Sequence, residues 1–88
     1  MTIFYMNGCP YCKNARKALD DLKKEDKRYE AVPIEWIDEN ANPERTKSYD
    51  YYYVPSVFNG KEKLYEAHPG DDYTFIRSKM KEALEAAL

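Results

Sequence analysis

Cys9 and Cys12 are the only cysteines of the chain, separated by the two residues Pro10 and Tyr11 in Gly8-Cys9-Pro10-Tyr11-Cys12-Lys13. Two thiols at this spacing can exchange with a disulfide. One attacks as the thiolate, and the other then closes an internal bridge that displaces the product. The attacking sulfur must therefore be held as an anion near neutral pH. A helix N-terminus does this, because its unpaired N–H groups and the macrodipole favour negative charge. The pattern puts Cys9 at such a place. A short apolar run, Thr2-Ile3-Phe4-Tyr5-Met6, comes before the pair, and a helical pattern follows it. A strand feeding a Cys-x-x-Cys that opens a helix is a redox arrangement. Pro10 suits the first helical position, which has no use for an N–H. Cys12, about one turn on, lies on the same side and within reach of Cys9.

Two other uses of the pair remain open at this point. Half of a zinc site would need two further ligands. His68 is the only other soft candidate, so a set within one chain is incomplete, while a site shared by two chains is not excluded. A structural disulfide is the other, but a bridge closing so small a loop constrains the unfolded chain little.

The elements that must position the pair can be read along the chain. Ile3-Phe4-Tyr5 is apolar on both faces, as a buried parallel strand would be. From Pro10 to about Lys27, Ala15, Ala18, Leu19 and Leu22 recur at helical spacing. The charge run Glu25-Asp26-Lys27-Arg28 closes that helix as surface. Glu30 to Ile37 reads as a second strand, with Val32, Ile34 and Trp36 on one face and Glu35 and Ile37 on the other. Asn42 reads as an N-cap before Pro43, starting a short helix to about Tyr49. Val54-Pro55-Ser56-Val57-Phe58 starts a third strand. Asn59-Gly60 is a hairpin turn, and Lys61 to Ala67 returns antiparallel. After the loop His68-Pro69-Gly70, Asp71 or Asp72 caps a last helix with Ile76, Met80, Ala83, Leu84 and Ala87 as its apolar stripe. The expected class is α/β: a four-stranded mixed sheet flanked by helices in the order β-α-β-α-β-β-α, one domain over 1–88.

Composition narrows the function. An 88-residue chain with 43% hydrophobic and 34% charged residues is one globular domain. A net charge of −2, from 14 basic and 16 acidic residues, argues against nucleic acid or a membrane surface as partner. Met1 to Cys9 lacks a basic n-region and a long apolar h-region, so a reducing cytoplasm is the expected compartment. A monomer is the expected state.

The chain resembles the dithiol glutaredoxin branch of the thioredoxin fold over essentially its whole length. Cys9-Pro10-Tyr11-Cys12 matches that family's motif, Val54-Pro55 stands at the start of the third strand, and Gly70-Asp71-Asp72 opens the last helix. The resemblance implies a cis Pro55 lying against the cysteines, a thioredoxin-like fold, and a groove for glutathione as reducing co-substrate. In that groove the Val54 backbone would pair with the cysteinyl part of the tripeptide as an added strand would. Gly70, Asp71 and Asp72 would hold the γ-glutamyl end at a helix start, a role that does not prevent Asp71 or Asp72 from being plain caps. Tyr11 would flank the thiol, and Lys13, Arg45 or Lys47 could meet the glycine carboxylate. Three departures surround this groove: Met6-Asn7-Gly8 offers no lysine before Cys9, Tyr53 stands where many relatives have Thr, and Pro69-Gly70 replaces Gly-Gly.

The expected activity is thiol–disulfide exchange on protein disulfides and glutathionylated proteins, with Cys9 as nucleophile, Cys12 as resolving thiol, and no bound metal or organic cofactor. Reduction by a thioredoxin reductase is the alternative that the missing lysine motivates. An iron–sulfur cluster held between two chains is a third reading, which Pro10 after the first cysteine disfavours.

Overall fold

Ile3 and Phe4 are adjacent in the chain and belong to different cores. In the computed structural model, which describes all 88 residues, both lie in strand β1 (Thr2–Tyr5) and both are fully buried. Successive strand side chains face opposite sides of a sheet. Ile3 therefore meets Val57, Tyr65 and the apolar stripes of two helices, α1 (Pro10–Glu25) and α3 (Tyr73–Ala87). Phe4 meets Ile37 and Phe58 on the other face. No helix covers that second face; Tyr49, Tyr51 and Val54 do, with the Tyr49 and Tyr51 rings centred 4.8 and 5.0 Å from Phe4. The expected stripes of both long helices are the buried ones, except that Ala87 is only half-buried.

The sheet has four strands, with β1 in its interior. β2 (Glu35–Asp38) is parallel to β1, with Thr2 opposite Glu35 and Tyr5 opposite Asp38. β3 (Ser56–Asn59) is antiparallel to β1, with Ser56 opposite Phe4, and β4 (Glu62–Glu66) returns beside it with Glu66 opposite Ser56. This register brings the exits of β1, β2 and β4 and the entrance of β3 to one end of the sheet. Cys9, the residues after Asp38, Val54-Pro55 and Gly70 all follow or precede strands at that end. No helix is long and apolar enough to cross a membrane.

Three expected elements are shorter than their patterns suggest. Residues Lys27–Ala31 form a 3-10 helix, so the second strand starts only at Glu35. Asp26 causes the turn: its carboxylate accepts the Arg28 N–H at 3.0 Å, a local bond that competes with extension. Buried Tyr29 then reaches α3 through a hydroxyl bond to Glu85. The charge run is thus more than surface, since Glu25 pairs with Arg77, and Arg28 with Glu85, on α3. The second helix, α2 (Pro43–Thr46), lasts one turn. Asn42 does not cap it with its side chain, which donates to the Asp38 carbonyl at 3.0 Å. The chain then leaves the helix and lays Tyr49 and Tyr51 on the sheet. Finally, β3 begins at Ser56, leaving Val54-Pro55 as the segment that enters it.

Candidate active site

Cys9 is the N-cap of α1, with extended backbone (φ −84°, ψ 116°) and Pro10 next. Its sulfur accepts the Cys12 N–H at 3.3 Å. This is the bond by which an N-cap side chain satisfies an orphan donor, and here the acceptor is the reactive atom. As a thiol, the same sulfur donates to the Val54 carbonyl at 3.6 Å. Cys9 is 9% exposed, and it lies between two surface clefts. One, about 370 Å³, is lined by Tyr5, Met6, Asn7, Lys13 and Arg16 together with both cysteines. The other, about 310 Å³, is lined by Tyr11, Glu39, Tyr52, Tyr53 and Val54.

Cys12 is one turn into α1 and 5% exposed. Burial pushes its thiol up to about 12, and the contact with Cys9 and the charges of Cys9 and Glu39 add to the shift. The two sulfurs are therefore unequal. Cys9 has a helix N–H aimed at it and opens onto the clefts, whereas Cys12 is kept protonated behind it.

The Val54–Pro55 bond is cis, and Pro55 is buried. The Val54 carbonyl faces Cys9, while its N–H has no partner within the chain. Behind this segment, Glu66 of β4 accepts the N–H groups of Tyr52 and Tyr53 at 2.6 and 2.7 Å, and its other oxygen takes Lys63 at 2.7 Å. Burial works against the Glu66 charge, but the hydrogen bonds from Lys63, Tyr53 and Tyr52 outweigh it and hold the carboxyl below its usual range. The Pro55 carbonyl accepts the N–H of Ala67, the residue just past that strand, at 3.0 Å.

The Gly70-Asp71-Asp72 turn also meets the site, in a form the sequence does not disclose. The Gly70 N–H, at a positive φ of 99°, donates to the Tyr11 hydroxyl at 2.9 Å. Asp71 turns inward, accepting from the Tyr65 hydroxyl at 2.6 Å and the His68 N–H at 3.0 Å. Burial opposes its charge as well, and those two donors hold it below the usual carboxylate range. Asp72 is the N-cap of α3, accepting the Phe75 N–H at 2.8 Å, while its own N–H has no partner within the chain.

Of the three cations considered for a terminal carboxylate, Lys13 alone shares a cleft with Cys9. Arg45 makes a two-pronged pair with Glu35, at the start of β2 and the far end of the sheet, with both bonds under 3 Å. Lys47 is exposed and makes no side-chain bond. Residues that the sequence reading passed over are Glu39, Glu66 and Arg16. Arg16 was within reach of it, because Cys9, Cys12, Lys13 and Arg16 stand at i, i+3, i+4 and i+7, one helix face. Glu39 and Glu66 have no such local signal; strand pairing brings them in.

Comparison with known proteins agrees with this geometry. The family model described as Glutaredoxin matches residues 1–63. A protein named thioredoxin from Methanocaldococcus jannaschii is 31% identical over 98% of this chain and 87% of its own length. No solved structure gives a significant match.

Proposed function

Because this chain belongs to the glutaredoxin family, we propose that it reduces protein disulfides and glutathionylated proteins through Cys9 and Cys12, with glutathione restoring the dithiol. The general activity, thiol–disulfide exchange, follows from the family; the substrates and the glutathione dependence are our reading. The observation that carries it is the placing of Cys9 Sγ at the N-cap of α1, accepting the Cys12 N–H and opening onto two clefts.

The step runs as follows. The Cys9 thiolate attacks one sulfur of the substrate disulfide, the S–S bond breaks, and the other substrate sulfur leaves as a thiolate that takes a proton. Cys9 is now neutral in a mixed disulfide. Two causes that held Cys12 protonated, the bond to Cys9 and the Cys9 charge, are gone. Cys12 can then lose its proton and attack Cys9 Sγ, which expels the second substrate thiol and leaves a Cys9–Cys12 bridge. Two glutathione molecules return it to the dithiol and leave as oxidised glutathione. With a glutathionylated protein, Cys9 alone suffices, because a second glutathione does the resolving.

For glutathione we assign the cysteinyl backbone to the Val54 N–H and carbonyl, beside Pro55, and the γ-glutamyl carboxylate to the Gly70-Asp71-Asp72 turn. The free Asp72 N–H supports that placement more than Gly70 or the Asp71 carboxylate, which are engaged internally. Tyr11 flanks the thiol, and Lys13 is the cation for the glycine end. Neither a resident metal nor an organic cofactor enters this scheme. We place the protein in a reducing cytoplasm, as a monomer.

Cys9→Ser should abolish all exchange, while Cys12→Ser should lose reduction of protein disulfides and keep deglutathionylation. An active Cys9→Ser would overturn the nucleophile. The relative named thioredoxin favours a second reading, in which a thioredoxin reductase is the electron donor. Turnover with glutathione and glutathione reductase, set against turnover with thioredoxin reductase, separates the two.

A further inference from the structure

Arg16 is the one arginine of this chain without a carboxylate partner. Arg28 pairs with Asp26 and Glu85, Arg45 with Glu35, and Arg77 with Glu25. In a protein with more acidic than basic residues, an arginine left out of every ion pair is informative when it stands beside the reactive sulfur. Arg16 lines the cleft that holds Cys9 and Cys12, and no carboxylate lines that cleft. Its guanidinium is held in place by aromatic faces, with its central carbon 4.1 Å from the Trp36 ring centre and 5.2 Å from that of Tyr5. Stacking of this kind leaves the guanidinium edge free for a planar acceptor and reduces the freedom lost when one binds. Lys13, one turn earlier on the same face of α1, makes no side-chain hydrogen bond or ion pair and adds a second positive charge. The cleft on the other side of Cys9 has the opposite character, being lined by tyrosines and Glu39.

We propose that Arg16, assisted by Lys13, is a carboxylate-recognition subsite for the protein substrate. The preferred substrate is a disulfide in an extended polypeptide segment that carries Asp or Glu beside its cysteine. Such a segment, crossing Cys9, places its acidic side chain in the Arg16 cleft, because Glu39 repels it from the other. The subsite selects substrate and takes no part in the electron transfer, which remains the two-electron exchange of the Cys9–Cys12 dithiol for one substrate disulfide. This inference rests on the oxidoreductase reading above and adds the substrate class to it.

The test uses the reduced full-length protein without glutathione, under anaerobic conditions, and follows single-turnover reduction of homodimeric disulfides of short cysteine peptides. The peptides differ only in having Glu or Lys next to the cysteine. The readout is the ratio of the two second-order rate constants within one protein variant, so that any change in Cys9 reactivity cancels. In the wild type at low salt, the Glu peptide should react roughly 5-fold faster, as expected of an ion pair at an accessible site. The advantage should fade in high salt. Arg16→Gln should bring the ratio near one and Arg16→Glu should invert it, whereas Lys81→Gln, a charge change on distant α3, should leave it alone. Equal rates in the wild type, or a ratio unmoved by both Arg16 variants, overturns the inference while the oxidoreductase reading stands. If no peptide is reduced at all, both fall.

Discussion

The hydroxyl of Tyr11 accepts the backbone N–H of Gly70 at 2.9 Å, across 59 positions of sequence. One residue lies between the two cysteines and the other in the turn before α3, so a single bond joins the redox helix to the far wall of the site. A neutral hydrogen bond of this kind contributes about 1 kcal/mol net. Tyr11→Phe should therefore lower the melting temperature by about 4–8 °C, the shift expected for a domain of this size. The Gly70 amide should also exchange with solvent faster by hydrogen exchange. A Gly70 amide that exchanges at the wild-type rate in Tyr11→Phe would show that the bond does not persist in solution.

The inequality of the two sulfurs has a chemical signature. Burial, with help from Cys9 and Glu39, keeps Cys12 a thiol up to about 12. In the reduced protein at pH 7–8, iodoacetamide should modify Cys9 first and leave Cys12 largely untouched, as peptide mass mapping would show. In Cys9→Ser the burial remains, so alkylation of Cys12 should be slow at neutral pH and keep rising above the ordinary thiol range. Equal labelling of the two cysteines in the wild type would contradict this.

Glu66 braces the segment that leads into Val54-Pro55 by holding the Tyr52 and Tyr53 N–H groups and Lys63. Hydrogen bonds to a charged group contribute about 1.5–3 kcal/mol, so Glu66→Ala, at a half-buried position, should destabilise the domain by about 2–3 kcal/mol in urea unfolding. The effect depends on pH with a definite sign. The folded-state carboxyl sits below its unfolded value. The unfolded chain therefore takes up the proton first, and the stabilisation is present above about 4.3 and lost as pH falls through the folded value. The stability gap between wild type and Glu66→Gln should be full at pH 7 and shrink steadily below about 4.3. A gap that stays constant down to pH 3 would remove the charged brace.

Asp72 and Asp71 separate capping from tertiary bonding. Asp72 caps α3 through the Phe75 N–H, and replacing it with Ala should cost about 1 kcal/mol, with Asn recovering most of it. Asp71 accepts from the hydroxyl of buried Tyr65 and pushes the Tyr65 phenol up, after the larger effect of burial. Asp71→Asn should bring the Tyr65 titration back toward its ordinary range, as read by ultraviolet absorbance, and Asp72→Asn should not. The reverse pattern would mean that the two carboxylates have exchanged roles.

Chain-local chemistry was enough to place Cys9 at the start of a helix with Cys12 a turn behind, because an N-cap, a proline at N1 and an apolar stripe involve only near neighbours in sequence. It was enough for the two sheet faces as well, since Ile3 and Phe4, or Trp36 and Ile37, part company by the alternation of a strand alone. It could not find the 3-10 helix at Lys27–Ala31, where one carboxylate competing for the backbone prevailed over a strand pattern. Nor could it find that Gly70 spends its N–H on Tyr11, that Glu66 holds Tyr52 and Tyr53, or that Arg45 is taken up by Glu35 while Arg16 is left free. Those outcomes depend on which strand ends meet at one edge of the sheet, and hydrogen bonds and charges choose their partners only after packing has brought them within a few ångströms.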